Sequence, residues 1–435
     1  MNIVKKIGMY VPVFLLTMCG LAAMLVLSAR IPRTALQDHM RDSAEYLSRY
    51  DKSYRLIKGA DISRLDRNAD AIWLSIAYGY DSKKPVSSVL WSKYYGRAGT
   101  EPKDAFLVQT RQGLKGNQEY LRYWHGGNAF IRLFHLVTDI RGIYLFHGLL
   151  IGLILLGIMM VLYRNGMAEV GVSFCISLAF VGIWVVPFCL EYSFVILWAL
   201  FMTCVTIGKC LKGEWEKLGI LFMINGMVTV YLDFFTTETL ALLLPLLTAM
   251  AVSCKKGLCW KKKDSRTALS YVLLWAIGYA GMWISKWILV MVVLQTDPMP
   301  IVSGHAKQWL GNTVAPGATF PLPVLLFHSI LQNLRYIFPC NIRGIGFLLA
   351  FLLLMGYIYH CFVYRKDGWN RSLIRIYFLL AGIPILRFLI LHSHSVRHCF
   401  FTHRALAGTI YALLLLQSEI TDRRWVLHGF KRGRN

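Results

Sequence analysis

Gln37-Asp38-His39-Met40-Arg41-Asp42, Asn68-Ala69-Asp70 and Tyr123-Trp124-His125-Gly126-Gly127 all lie in one polar-rich stretch, Arg30–Arg141, flanked by two long apolar runs. Outside that stretch the chain alternates apolar segments with short loops. Each apolar segment of about 20 residues can cross a hydrocarbon core of roughly 30 Å as a helix. With 56% hydrophobic and 16% charged residues, the composition is far from that of a soluble domain. The fold class is therefore all-α: a polytopic bundle of about ten transmembrane helices, with a helical extracytoplasmic loop domain after span one.

The net charge of +24 does not imply nucleic acid, because membrane orientation already demands Lys and Arg in the loops facing the cytoplasm. Expected spans are Ile7–Ala29, Ile143–Tyr163, Val170–Leu190, Ser193–Ile207, Leu218–Leu232, Leu240–Ser253, Ala268–Leu294, Ile345–Val363, Ile374–Leu391 and Ala405–Leu416. The fifth and sixth are short; they either cross fully or form a re-entrant pair. Lys5 and Lys6, the Lys255–Arg266 loop, Arg365-Lys366 and the Arg423–Arg434 tail all fall on one side, so a cell-membrane protein with both termini cytoplasmic is expected. The short turns at Glu191 and Asp233–Glu238 on the other side are acidic. No cleavage pattern precedes Arg30, so residues 1–29 read as an uncleaved anchor rather than a signal peptide. The remaining organisation is an insert (30–141), spans two to seven (142–294), a proline-broken outer segment (295–343), spans eight to ten (344–418) and a basic tail (419–435). The ten cysteines form no Cys-x-x-Cys; Cys340 and Cys399 would share the outer face, as two free thiols or as a disulfide.

Within the insert, Leu36, Met40, Ala44 and Leu47 follow helical spacing, giving an amphipathic helix over Thr34–Ser48. Asp38 and Asp42 occupy its polar face, and Asp70 falls in the first turn of a second helix starting at Asn68. A carboxylate here can accept a proton from a hydroxyl or hold a divalent cation; equally, it can be solvated or serve a helix dipole. No cofactor is assigned beyond that compatibility with a divalent cation. Tyr123, Trp124 and His125 before a Gly-Gly pair suit a sugar-stacking surface or an interfacial aromatic belt. Arg132, His135 and Asp139 would then share one face of the helix entering span two, with Arg132 able to grip a phosphate.

The outer end of span nine reads His392-Ser-His394-Ser-Val-Arg397-His398-Cys399-Phe-Phe-Thr-His403-Arg404, which places four histidines and two arginines in 13 residues. Such groups are costly near lipid without a task. His394 and His398 are four apart, but no Glu lies between them as a metalloprotease would require, so no metal site is assigned. Phosphate recognition by Arg397, Arg404, His394, His398 and His403 suits the composition; a snorkelling interfacial loop is the plainer alternative. Asp233 ends span five on the same side.

Walker, dinucleotide and nucleophile-elbow motifs are absent, which argues against soluble nucleotide chemistry and for a substrate presented by lipid. The long first outer loop carrying Asp38 and Asp42, the many spans and the basic outer cluster resemble the GT-C superfamily of membrane glycosyltransferases. That resemblance implies a polyprenyl-phosphate-linked sugar donor and an acid of the first outer loop assisting the acceptor hydroxyl, although no Asp-x-Asp, Asp-Asp or Glu-Asp pair stands in that loop. Tyr123–Gly126, Asp233–Thr237 and His392–Arg404 are also similar to segments of multipass proteins of Gram-positive bacteria that carry no established activity. The expectation is inverting sugar transfer from a polyprenyl-phosphate donor to a cell-envelope acceptor, with membrane lipid and the lipid-linked sugar as partners. Asp38, Asp42 or Asp70 would act as base, and Arg132, Arg397 and Arg404 would hold the phosphate. A transporter or flippase of lipid-linked saccharides would instead place ionisable groups deep in the spans, where only Lys286 and Arg387 qualify. A non-enzymatic partner of an envelope assembly machine would need none of these residues individually.

Overall fold

The computed structural model describes residues 3–257, 262–315, 318–338 and 345–422. Cys340, Arg343, Lys261 and the Arg423–Arg434 tail lie outside the described residues. The chain begins with α1 (Ile3–Ala29), and five helices build the insert: α2 (Gln37–Ser48), α3 (Arg67–Gly79), α4 (Pro85–Trp91), α5 (Pro102–Gln112) and α6 (Gly127–Phe134). The first membrane block follows as α7 (Ile140–Arg164), α8 (Ala168–Phe180), α9 (Leu190–Leu211), α10 (Leu218–Leu232), α11 (Glu238–Lys255) and α12 (Lys262–Leu294). The proline-broken segment after α12 forms α13 (Met299–Leu310), a small antiparallel ribbon of Thr313–Ala315 against Ala318–Thr319, and α14 (Leu322–Ile337). The chain then runs through α15 (Ile345–Val363), α16 (Arg371–Ala381), α17 (Ile383–Ile390), α18 (His392–Arg397), α19 (Cys399–Thr402) and α20 (Leu406–Ile420).

Among the described residues, eight helical segments are long and apolar enough to cross a membrane. The protein is thus a multi-pass, all-α membrane bundle. The places expected for spans three and five are taken by α8 (13 residues) and α10 (15 residues). At 1.5 Å per residue these reach only about 20 Å and 22 Å, short of a full hydrocarbon core. Outward faces of α1, α7, α12 and α15 are apolar and exposed, as at Leu16, Leu153, Ile277 and Phe362; lipid satisfies such faces where water would not.

Small residues set the tightest contact between spans. A Cβ at Gly278 of α12 would lie 2.1 Å from the Met223 carbonyl, and one at Gly226 of α10 2.0 Å from the Trp275 carbonyl. Backbone therefore packs directly on backbone there, as helices in lipid favour.

The amphipathic helix expected over Thr34–Ser48 forms as a 3-10 turn (Arg33–Leu36) leading into α2, with Met40, Ala44 and Leu47 buried. The second helix starts one residue earlier than expected, because the Asp66 carboxylate accepts from the Ala69 N–H at 3.0 Å and supplies the cap. Asn68 instead bridges to α5, donating to Glu101 at 2.6 Å. Helices α4 and α5 each start on a proline at the first helical position. The helix leading into span two is broken after Phe134, and Asp139 caps α7 through the Arg141 N–H at 2.9 Å.

The insert is not a separate body. Leu74, Trp73 and Phe106 share one apolar core with Leu25 of α1, Ile143 of α7, Tyr231 of α10 and Met282 of α12. Three polar ties hold it down. Arg132 donates to the carbonyls of Ser28, Ala77 and Ile31. Lys286, buried in α12, donates to the Val89 and Leu90 carbonyls at 3.1 and 3.0 Å. Trp124 Nε1 donates to the Met282 carbonyl at 2.7 Å.

Candidate functional site

Several residues expected in a site turn out to be structural ties. Asp38 and Asp42 lie on the exposed face of α2. Asp70 is fully buried: Oδ1 accepts from the Leu190 N–H at 2.7 Å and from Cys189 Sγ at 3.3 Å, and Oδ2 from the Tyr144 hydroxyl. Arg67, 3.5 Å from Oδ2, completes the knot by donating to the Phe188 carbonyl at 3.1 Å. Burial pushes the Asp70 carboxyl up to about 6, against the opposing pull of Arg67 and its hydrogen bonds. Every lone-pair direction is occupied, so this acid joins α3 to α7 and α9. Arg132, each of whose three guanidinium nitrogens donates to a main-chain carbonyl, is likewise occupied. His135 sits between the Ile131 carbonyl (2.8 Å) and Ser43 Oγ (3.0 Å), and burial depresses its imidazole to about 4.

The aromatic motif docks the insert. His125 takes a positive φ of 55° and its Nε2 lies 3.0 Å from the Tyr120 carbonyl. Gly126 then donates its N–H to the Tyr231 carbonyl at 2.7 Å. A Cβ at Gly126 would fall 2.1 Å from the Tyr231 ring, so only glycine permits that approach. Tyr123 packs on Phe234 and Trp283 (ring centroids 4.7 and 5.2 Å apart).

What the fold does bring together is the acidic turn after α10, the mouth of α9 and the His/Arg segment of α18–α20. Both Asp233 oxygens lie within reach of the Thr236 N–H (3.1 and 3.2 Å). Burial first, and the Glu238 carboxylate second, push Asp233 well up from the usual carboxylate range. Arg387 spans the next layer: Nε pairs with Glu238 at 2.7 Å, Nη2 donates to the Phe235 carbonyl at 2.6 Å, and Nη1 to Ser395 Oγ at 3.1 Å. Phe235 itself holds a positive φ of 63°, which turns that carbonyl toward the guanidinium. His394 Nδ1 lies 3.4 Å from Arg387 Nη2.

Arg404 is 0% exposed, donates one bond to the Phe400 carbonyl at 3.1 Å and lies 4.2 Å over the Tyr192 ring. Its Nε and Nη2, Glu191 Oε2 and His398 Nδ1 have no partner at full hydrogen-bond geometry within the protein, and the Tyr192 hydroxyl interacts with the same guanidinium. The charged neighbours of Glu191 are Asp66, Asp70, Asp233 and Arg404. His398 stacks on Phe401 with centroids 5.1 Å apart. Burial and the cations Arg397, Arg387 and Arg64 hold its imidazole down at about 4, so it is neutral at pH 7. Arg64 lies 3.9 Å over the Phe400 ring and raises the positive potential further. Arg397 donates to the Thr313 carbonyl at 2.8 Å on the exposed side, and His403 Nδ1 lies 2.9 Å from the Cys399 carbonyl.

Beside this polar layer runs an apolar groove of about 410 Å³ between α12 and α13, lined by Phe235, Tyr279, Trp283, Trp287, Trp309 and Leu391. Ile284 and Leu310 on its wall are about half exposed, so the groove opens on the outside of the bundle. Arg122 lines the same groove and lies 4.2 Å over the Tyr120 ring. Among the described residues, no group of three or more His, Cys, Asp or Glu is placed to hold a metal ion. No protein-family model, curated protein or solved structure matches the chain.

Asp233, His394, Arg397, His398 and Arg404 were legible as candidates and converge. Arg64, Asp66, Arg122, Glu191, Glu238 and Arg387 were not assigned to the site. Glu191 had a signal, an acid at the mouth of an apolar span, and Arg387 another, a charge inside one. Arg64, Asp66 and Arg122 had none, since single charges in a long polar insert look like solvated surface.

Proposed function

We propose that the protein is a GT-C-like transferase of the cell membrane, moving a sugar from a polyprenyl-phosphate donor to an envelope acceptor on the face that bears the insert. The insert then lies outside and both termini inside. One juxtaposition supports the reading: an apolar groove with an arginine in its lining, beside a buried layer in which Arg404 Nε and Nη2 and Glu191 Oε2 have no hydrogen-bond partner in the protein. A prenyl chain suits the groove wall of tryptophans and tyrosine. Its phosphate would meet Arg122, with Arg404 further in, where scarce water strengthens an Arg–phosphate contact.

In this mechanism an acceptor hydroxyl gives its proton to a carboxylate as its oxygen bonds to the sugar C1. The C1–O bond to phosphate breaks, and the polyprenyl phosphate leaves with the electron pair, its added charge offset by guanidinium. Glu191 is the carboxylate best suited as base: its Oε2 carries no hydrogen bond, Asp66, Asp70 and Asp233 are engaged, and Glu238, whose Oε2 is likewise unbonded, is held by Arg387 through Oε1. Against transport, Lys286 and Arg387, the two groups the sequence offered as a pathway within spans, are both bound to protein at the insert end of their helices.

Binding of a long-chain polyprenyl phosphate by the purified full chain tests this, with phosphate-free polyprenol for comparison. Arg122→Gln should weaken the phosphate lipid about tenfold or more and leave polyprenol unchanged. Arg404→Lys, which keeps charge but loses the planar fork, should weaken it too. Equal binding of both lipids by the unaltered protein would remove the donor-site assignment.

A further inference from the structure

A second concave site lies on the insert, where α1 leaves the membrane. It encloses about 770 Å³, and five cations face it: Arg33, Lys83, Lys84, Lys93 and Lys115. Asp81 is the one acid in its lining. Arg33 follows the end of α1 by four residues, which puts the site at headgroup height.

The cations are fixed at their roots. Lys93 and Lys115 flank an isolated bridge in which the Tyr94 N–H donates to the Gln118 carbonyl at 3.0 Å. Gly79 and Gly116 close against the Lys93 carbonyl, where a Cβ would fall 3.0 and 2.5 Å away. Arg33 donates to the Leu114 carbonyl at 3.3 Å and lies 5.2 Å over the Tyr78 ring. Asp81 shapes the turn bearing Lys83 and Lys84 by accepting the Lys83 N–H at 2.9 Å. Lys93 lies 4.7 Å over the Trp91 ring and pairs with Glu119 at 3.4 Å. Among the described residues, Lys83, Lys84 and Lys115 have no ion pair. Like charges gathered around one cavity repel, and a multivalent anion seated among them relieves that. The positive-inside preference does not explain them either, since it concerns the opposite side of the membrane in the orientation proposed above.

We propose that this pocket binds a glycerophosphate group. The phosphate sits against Lys83, Lys84 and Lys115, and the glycerol hydroxyls donate to the Asp81 carboxylate beside Ser87. Two sources present that chemistry, the headgroup of an anionic phospholipid and a soluble glycerol phosphate. The inference does not depend on the transferase reading, because the pocket shares no lining residue with the groove.

The test uses the full chain in neutral detergent, with lipid retention read by native mass spectrometry. Phosphatidylglycerol should bind at least tenfold tighter than phosphatidylcholine at low salt, with the difference shrinking at high salt. The triple variant Lys83→Gln, Lys84→Gln, Lys115→Gln should bring the two lipids level without changing Tm. A matched variant, Arg49→Gln, Lys58→Gln, Arg97→Gln, removes as much charge from exposed positions elsewhere on the insert and should keep the preference. Soluble glycerol 3-phosphate, but not glycerol, should slow acetylation of Lys83 and Lys84; protection at concentrations where the lipid shows no preference would assign the soluble source. The proposal is overturned if the pocket variant keeps the wild-type lipid preference and neither phosphate ligand protects the lysines. It is overturned equally if the matched variant loses as much as the pocket variant, because the attraction would then be general.

Discussion

At the residue scale, carboxylates with different surroundings should behave differently when neutralised. Glu191→Gln removes the proposed base, whose Oε2 has no protein partner; turnover should fall roughly 10²–10⁴-fold with folding retained. Asp70→Asn should chiefly lower Tm, because an amide offers a donor where Leu190, Cys189 and Tyr144 already donate. The pH dependence separates two effects on Asp70. Its carboxyl is raised from 3.8 to about 6 in the fold, so between those values the folded state holds more protons than the unfolded one. Stability from this group is then greatest at low pH and declines as pH rises to about 6, by on the order of 3 kcal/mol in total. The stability advantage of wild type over Asp70→Asn should therefore shrink from pH 4 to 6.5, with both proteins melted in the same detergent. An advantage that grows with pH would mean that the attraction of Arg67 outweighs burial.

At the element scale, docking of the insert and packing of α10 on α12 both depend on absent side chains. Gly278→Val should cost about 3 kcal/mol or more, since the added group meets the Met223 backbone, which cannot rotate aside. Gly152→Ala in α7, where a Cβ would meet nothing within 4 Å, is the control and should be near neutral. Gly126→Ala tests the insert. With Tyr231 in the way, the His125–Gly127 corner cannot seat, and limited proteolysis should cut the insert faster than in wild type. Unchanged digestion would mean that Arg132 and Lys286 suffice to hold the insert down.

For the whole molecule, orientation is the property with the widest consequences. Single cysteines near Lys93 and Gly304 should react with a membrane-impermeant thiol reagent from outside intact cells, and a cysteine near Lys262 only after permeabilisation. External labelling near Lys262 would turn both the groove and the basic pocket to the cytoplasm and exclude an envelope acceptor. Because the Leu190 end of α9 is tied to Asp70 of the insert and α9 is long enough to cross, a cysteine at Gly213, beyond its other end, should also be protected from outside.

Local chemistry was enough to read the membrane class, the helical insert, its amphipathic first helix and the Asp233 and His394–Arg404 candidates. Apolar runs and helical spacing are properties of neighbouring residues. In sequence Asp38, Asp42 and Asp70 were all candidate bases, and only the packing of α3 on α7 and α9 turned Asp70 into a saturated buried tie while α2 left the other two in solvent. Arg132 looked like a phosphate ligand until three distant carbonyls took its donors. Conversely, Arg64 and Arg122 gained significance only when α19 and α12 came beside them. A hydrogen-bonding group is free or satisfied according to what lies next to it in space. Sequence supplies the group; the tertiary fold alone supplies the neighbour.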